Sequence, residues 1–244
     1  DIAVFSKKNN AGRNNNGHFT APRKGKRNKI LKRRLDYSKL NFTKKLYIIE
    51  SIEYDPNRSA LIMRVFSKIS KKKWIHFYLL APKYIFLGNI IKIYPKGYKN
   101  IGDHTLIHEM NVGTSCYGIR KNKNATNPVY ITAAGTFGTI LQHSTNKTLI
   151  QLPSNQYKWF SLLTLGSIGS ISNAEYSLQN WGKAGRMRNK GKNISVRGVA
   201  MNPIDHPHGG GEGKTSGGRI PVTPWGIPTK GKKTRKRNKK IQIF

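Results

Sequence analysis

The stretch His206-Pro-His-Gly-Gly-Gly-Glu-Gly-Lys-Thr-Ser-Gly-Gly218 gathers imidazoles, a carboxylate, an ammonium and hydroxyls on a glycine-rich backbone. Three enzymatic readings of it fail on spacing. A phosphate-binding loop needs a glycine five residues before its Gly-Lys-Ser/Thr end. Gly213-Lys214-Thr215 supplies that end, but His208 holds the glycine position and Glu212 adds repulsive charge. The helix that must follow cannot start in Ser216–Pro224, which carries two glycines and two prolines. An HGGG-type oxyanion hole at His208–Gly211 requires a Gly-x-Ser-x-Gly elbow. The closest stretch, Gly113–Tyr117, lacks the final glycine. Asp205, His206, His208 and Glu212 are suitable metal ligands by type, but near-adjacent ligands around Pro207 fit one tetrahedral ion poorly.

A fourth reading fits better. Glycines allow close approach of backbone to backbone, so Gly209, Gly210 and Gly211 suit a loop that penetrates RNA. Lys214 and Arg219 offer charge to phosphates, while His206 and His208 offer stacking and hydrogen bonds to bases and 2′-hydroxyls. Gly12-Arg-Asn-Asn-Asn-Gly17 has similar logic, because asparagine tolerates left-handed geometry and both donates and accepts. Between residues 22 and 34 stand Arg23, Lys24, Lys26, Arg27, Lys29, Lys32, Arg33 and Arg34, a supply of charge for phosphates. Phosphate contacts position a protein without reading sequence.

The whole chain has the charge such contacts need. Its 244 residues hold 45 Lys and Arg against 10 Asp and Glu, a net +35 with a pI of about 10.5. That excess repels itself in a compact state unless a polyanion relieves it. Hydrophobic residues make up 36% and mean hydropathy is −0.58, and no 18-residue apolar run occurs, which argues against membrane spans. The single Cys116 excludes an internal disulfide and a cysteine-based zinc site. The first residues show neither a secretory apolar region nor an Arg-rich amphipathic presequence. Lys outnumbers Arg 31 to 14, beside 26 Ile and 22 Asn, a bias that fits an AT-rich genome.

The elements that must carry these residues follow from pattern. Charge is concentrated at the ends: net +12 over residues 1–45 and +14 over 181–244, against +9 over the longer middle. The ends bury too little apolar surface to offset the entropy of ordering, so they read as basic extensions that pack on a partner. In the middle, Leu46–Tyr54, Ala60–Ser67, Trp74–Leu80 and Ile90–Tyr94 read as strands, with a turn at Asp55-Pro56-Asn57-Arg58. Arg58 is placed to reach phosphate from that turn. A second group comprises Val129–Ala133, Phe137–His143, Lys147–Leu152, Tyr157–Leu163 and Ile168–Ser172. Strands every eight to twelve residues in two groups predict two small barrels, with a break near residues 96–111. Helix is expected only as a turn near Ser172–Leu178.

The run Val196-Arg-Gly-Val-Ala-Met-Asn-Pro-Ile-Asp-His-Pro-His-Gly-Gly-Gly-Glu-Gly-Lys-Thr-Ser-Gly-Gly-Arg219 resembles the signature of the large-subunit ribosomal protein L2 family. So do Pro221-Val-Thr-Pro-Trp-Gly226, Thr229–Arg235, Gly12-Arg-Asn-Asn15, Ile52–Ala60, Leu79-Leu-Ala-Pro-Lys83, Val112-Gly-Thr114, Ala134-Gly-Thr136 and Gly182-Lys-Ala-Gly-Arg186, in the family's order. The resemblance implies a mainly β fold: an OB-like barrel (46–100), an SH3-like barrel (101–180), a basic N-terminal extension (1–45) and a Gly-rich basic C-terminal one (181–244). It implies no enzymatic activity. It implies one copy per ribosome, binding of large-subunit ribosomal RNA and neighbouring ribosomal proteins, support of the peptidyl transferase region, and contact with small-subunit RNA at an intersubunit bridge. The alternative is a regulator of RNA or DNA outside the ribosome.

The residues expected at RNA are Arg13, Asn14, Asn15, Arg23, Arg27, Arg33, Arg58, Lys183, Arg186, Arg197, His206, His208, Gly209, Gly210, Gly211, Lys214, Arg219, Trp225, Lys230, Lys232 and Arg235. No cofactor or protein-held metal is expected, magnesium being held by the RNA. Thr132, Asn189 and Asn193-Ile194 depart from the family's pattern. A bacterial-style signature, divergence over residues 96–130 and AT-rich codons point to a mitochondrial ribosome, with a plastid or bacterial cytoplasm as alternatives.

Overall fold

The computed structural model describes residues 4–6, 9–36, 46–70, 73–94, 99–120, 129–213, 215 and 218–233. The described chain is mainly β and divides into two compact units. One contains Lys29–Asn180 together with the first strand; the other joins Lys8–Asn28 to Trp181–Lys240. The two barrels anticipated from the strand spacing therefore share a unit, and much of the two basic ends shares the other.

In the first unit, β1 (Val4–Ser6) pairs antiparallel with β2 (Leu31–Arg33). Four antiparallel strands follow: β3 (Leu46–Glu53), β4 (Ile62–Ser70), β5 (Lys73–Leu80) and β6 (Ile90–Lys92), in the spatial order β5-β4-β3-β6. Period-two alternation sets the faces of β3: Tyr47 and Ile49 point inward while Leu46 and Ile48 stay exposed. The inward residues meet Met63, Val65, Leu79, Ile85, Ile91 and Ile93 in one core, and Tyr47 packs edge-on against Phe77 at 5.0 Å. Each buried isoleucine contributes about 1.5–3 kcal/mol to folding.

The second sheet has seven strands: β7 (His104–Leu106), β8 (Ser115–Arg120), β9 (Val129–Tyr130), β10 (Gly138–His143), β11 (Lys147–Gln151), β12 (Tyr157–Ser161) and β13 (Leu165–Ile168). Its order is β12-β11-β10-β8-β13-β7, with β9 on β8. Ile119, Ile140, Ile150, Phe160 and Ile171 fill its core, joined by Ala60 and Leu80 from the end of the first barrel. Backbone bonds tie the two sheets: Ser172 N–H donates to Ala81 O at 3.1 Å and Lys83 N–H to Ser170 O at 2.8 Å. Ser59 completes the seam, its Oγ accepting from Ala134 N–H at 3.1 Å and its carbonyl from Asn173 Nδ2 at 2.7 Å.

Several elements differ from the sequence reading. β7 lies inside the expected break and β8 follows it, where no strand was expected, because their polar His104, Thr105, Ser115 and Arg120 hide the strand pattern although most of the two strands is buried. The expected last strand at 168–172 forms earlier, at Leu165–Ile168. The helical turn appears as 3-10 helix at Ala174–Leu178, and a short helix α1 (Ala184–Asn189) arises where no periodicity announced it.

Candidate nucleic-acid interface

The second unit begins with a tight reversal. Gly12 has φ +75°, and a Cβ there would stand 2.3 Å from the Ala21 carbonyl, so only glycine fits. Its carbonyl accepts from the amides of Thr20 and Ala21 at 2.9 and 3.0 Å. Asn14 closes the tip, its Oδ1 accepting from His18 N–H at 2.9 Å. The Arg13 guanidinium lies 3.9 Å from the Phe19 ring centroid. Asn15 is exposed beside it. Arg13 and Asn15 are thus presented, while the Asn14 side chain serves the turn.

Beyond this tip the two ends of the chain meet as short antiparallel backbone. Gly25 N–H donates to Gly191 O at 2.9 Å, Asn193 N–H to Arg23 O at 2.9 Å, and Lys24 bridges Lys192. Composition argued for segments that order only on a partner, yet this pairing is internal. It places exposed Arg23, Lys24 and Lys26 on one strand beside Lys192 on the other, with Arg27 half-buried. α1 leads into the pairing and exposes Arg186 and Arg188, with Lys183 at its N-cap. The two arginines lie in its last turn, where the helix dipole favours cations. Lys190 Nζ sits 3.3 Å from the Trp181 ring centroid. Sequence reading did not single out Arg188, Lys190 or Lys192; the signal was present as cations every few residues from 183 to 192 without one carboxylate.

The 197–211 loop is built on its own backbone. Asn202 O accepts from the amides of Asp205 and His206, Gly209 N–H donates to His206 O at 2.8 Å, and Gly210 N–H to Met201 O at 3.2 Å. His206 is 7% exposed. Its Nδ1 accepts from His208 N–H at 3.0 Å, and His208 Nε2 accepts from Val222 N–H at 3.2 Å. The rings stand 4.8 Å apart. These bonds require the acceptor nitrogen of each ring to be unprotonated. His206, expected at RNA, is buried in the loop and holds the His208 amide, and His208 in turn holds that of Val222. The glycines are likewise explained from within: a Cβ on Gly209 would stand 2.3 Å from Asn202 O, one on Gly210 2.6 Å from Pro203 Cγ, and one on Gly211 2.1 Å from Thr215 Cγ2. The close backbone approach read from the sequence is real, but it is made to the loop's own chain. Asp205, His206, His208 and Glu212 form no metal-ligand cluster among the described residues.

A hairpin follows. Val222 bridges Pro228, and Thr223 N–H donates to Ile227 O at 2.9 Å. Its tip holds Trp225, 73% exposed, and the preceding loop tip holds Ile204, 93% exposed. Arg197, Arg219, Lys230 and Lys232 are exposed. Lys214 and Arg235 lie outside the described residues.

Two further sequence candidates are engaged within the first unit. Arg58 Nε donates to Asp55 Oδ2 at 2.7 Å, and Asp55 Oδ1 accepts from Asn57 N–H at 2.9 Å. Burial opposes the Asp55 charge, but the Asn57 amide and the Arg58 guanidinium outweigh it and hold the carboxyl below its usual range. The turn reading of this stretch holds; its arginine is the clamp of that turn. Arg33 Nε lies 2.9 Å from Glu53 Oε2, and Arg33 Nη1 donates to Tyr54 O at 3.2 Å. Burial works against the Arg33 charge, but the Tyr78 hydroxyl and the Glu53 carboxylate outweigh it and raise its pKa. Both arginines already have a carboxylate.

Two family models cover the chain. The model for the RNA-binding N-terminal domain of ribosomal proteins L2 matches residues 3–93, and that for their C-terminal domain matches residues 100–226. The chain belongs to the ribosomal protein L2 family. The first L2 model spans the hairpin tip, the N-terminal part of the two-ended pairing and the four-stranded sheet. The second spans the seven-stranded sheet, α1, the 197–211 loop and the hairpin as far as Gly226. Over 231 residues the chain is 42% identical to large ribosomal subunit protein uL2 of Ruegeria sp. (strain TM1040), covering 95% of this chain and 80% of the relative. It is 42% identical to that of Wolbachia sp. subsp. Brugia malayi over 97% of this chain and 84% of the relative. For Rickettsia bellii (strain OSU 85-389) the identity is 41%, over 96% and 83%.

Proposed function

We propose that this L2-family chain is a structural constituent of the large ribosomal subunit, held on large-subunit ribosomal RNA. The observation that carries the reading is the cationic body formed jointly by the two ends of the chain. Arg23, Lys24, Lys26, Lys183, Arg186, Arg188 and Lys192 are all exposed on it, and none forms an ion pair with a carboxylate among the described residues. A surface of that kind neutralises phosphates and releases their counterions. Arg13, Asn15, Arg197, Arg219, Trp225, Lys230 and Lys232 extend it along the tips. Arg33 and Arg58 drop out of the contact set, and His206 acts by shaping its loop.

The finer reading has one copy per ribosome, with the 197–211 loop supporting the peptidyl transferase region. Neighbouring ribosomal proteins and small-subunit RNA at an intersubunit bridge are its other partners. Peptide-bond chemistry belongs to the RNA, which also holds the magnesium. The three relatives named above are bacteria of the Rickettsiales and Rhodobacteraceae, in the lineage of mitochondrial ancestry. With the lysine and asparagine bias, this supports a mitochondrial ribosome. Mass spectrometry of large subunits purified from mitochondria and washed in high salt tests the proposal. One copy relative to other subunit proteins is the expected result. Recovery of the chain free or on other RNA would place it among regulators instead.

A further inference from the structure

The tight reversal near the N-terminus is rich in asparagine, and the structure holds its asparagines unequally. Asn9 is fixed at both side-chain atoms: Oδ1 accepts from Ala11 N–H at 2.9 Å and Nδ2 donates to Gly25 O at 3.3 Å. Asn14 Oδ1 accepts from His18 N–H at 2.9 Å. Asn16 is exposed, and its carboxamide makes no hydrogen bond among the described residues. The residue after it is Gly17, which makes the only Asn-Gly pair in the sequence. Gly17 is exposed, and a Cβ on it would meet nothing within 4 Å, so this backbone stands in open space. Its N–H donates to Asn14 O at 3.2 Å. A turn bond of that kind, in contact with solvent, opens at little cost.

A free carboxamide followed by glycine can react with its own chain. The Gly17 nitrogen attacks Asn16 Cγ and forms a five-membered succinimide ring. The Cγ–Nδ2 bond breaks, and ammonia leaves with the proton lost from the Gly17 nitrogen. Water then reopens the ring at either carbonyl. Opening at Cγ leaves aspartate; opening at the backbone carbonyl leaves isoaspartate, with the chain running through Cγ. The sum is amide plus water giving carboxylate plus ammonium, with no oxidation. Ring closure gains from the fixed proximity of the two groups, and glycine presents no side chain to crowd its nitrogen. Asn15 is also exposed, but the nitrogen after it belongs to Asn16 and is crowded by a side chain.

We infer that Asn16 is a site of spontaneous deamidation in the chain before it is assembled on RNA, and that the carboxylate formed weakens the hold of this tip on phosphate. The second half rests on the RNA-binding reading above; the chemistry does not. The exposed Arg13 lies on the same tip, bridged to Phe19. A carboxylate at residue 16 opposes phosphate there and competes with it for the Arg13 charge, as Glu53 does for Arg33 in the other unit.

The test incubates the free full-length chain in mildly alkaline buffer, which favours loss of the attacking amide proton, and follows its peptides by mass spectrometry. The amide-to-acid mass increase should accumulate at Asn16 ahead of every other asparagine, as aspartate and isoaspartate together. Asn16→Gln keeps the carboxamide but needs a six-membered ring, so residue 16 should stay intact in that variant. Duplex RNA bound beforehand should slow the conversion in the unaltered chain. Asn16→Asp should lower the log–log salt slope of duplex RNA binding by about 0.9, the effect of one lost phosphate contact, while Asn16→Gln leaves the slope as it was. An Asn16 that stays intact while other asparagines convert overturns the inference, and so does equal conversion in Asn16→Gln. An unchanged slope in Asn16→Asp overturns its consequence for RNA. Failure of the unaltered chain to bind duplex RNA would instead sink the RNA-binding reading, and would leave conversion at Asn16 standing.

Discussion

Gly198 and His206 share one packing position: a Cβ on residue 198 would stand 2.5 Å from His206 Cε1 and 2.6 Å from Nδ1. The imidazole fills the space that the glycine leaves, and its Nδ1 then holds the amide of His208. Gly198→Ala must push the ring out and break that bond. Overpacking of this kind costs about 1–3 kcal/mol. Hydrogen exchange should show faster exchange at the His208, Gly210 and Val222 amides in the variant, with the strands of the two sheets unchanged.

The Asp55–Arg58 clamp predicts an acid limit to stability. The Asp55 pKa is lowered in the folded chain, so its contribution is present above the unfolded value of about 3.9 and is lost as pH falls through the folded value. Arg58→Ala removes one of the causes that lower it, so the acid loss should begin at higher pH. At neutral pH the variant should lose about 1–3 kcal/mol, the usual cost of removing a hydrogen-bonded charged partner. Thermal melts between pH 3 and 7 read both effects.

Salt dependence separates free cations from engaged ones. Arg23→Ala, Lys183→Ala and Arg186→Ala should each lower the log–log salt slope of duplex RNA binding by about 0.9. Arg33→Ala should leave the slope unchanged, because Glu53 already compensates that charge. A reduced slope for Arg33→Ala would return it to the contact set.

Cys116 should behave as an inert core residue. It is fully buried, and burial pushes its thiol pKa up to about 12. A maleimide at pH 7–8 should leave it unmodified in the folded chain and label it fully in denaturant. Rapid labelling of native protein would show that the core around β8 opens readily.

Much was determined by the sequence alone. Its charge and hydropathy call for a polyanionic partner, and its strand spacing specifies two β bodies. The run from Val196 to Arg219 was specific enough to indicate the L2 family. These are local or additive properties, readable one segment at a time. Only the tertiary structure decided which charges remain available. Arg23 and Arg33 look alike in the sequence, but one is exposed and the other faces Glu53 across twenty residues of chain. Likewise, nothing local distinguishes a histidine that reads RNA from one that fills the space over Gly198. That difference depends on contacts between segments distant in sequence, as does the pairing of residues 23–28 with 189–193, and residue type does not encode such contacts one position at a time.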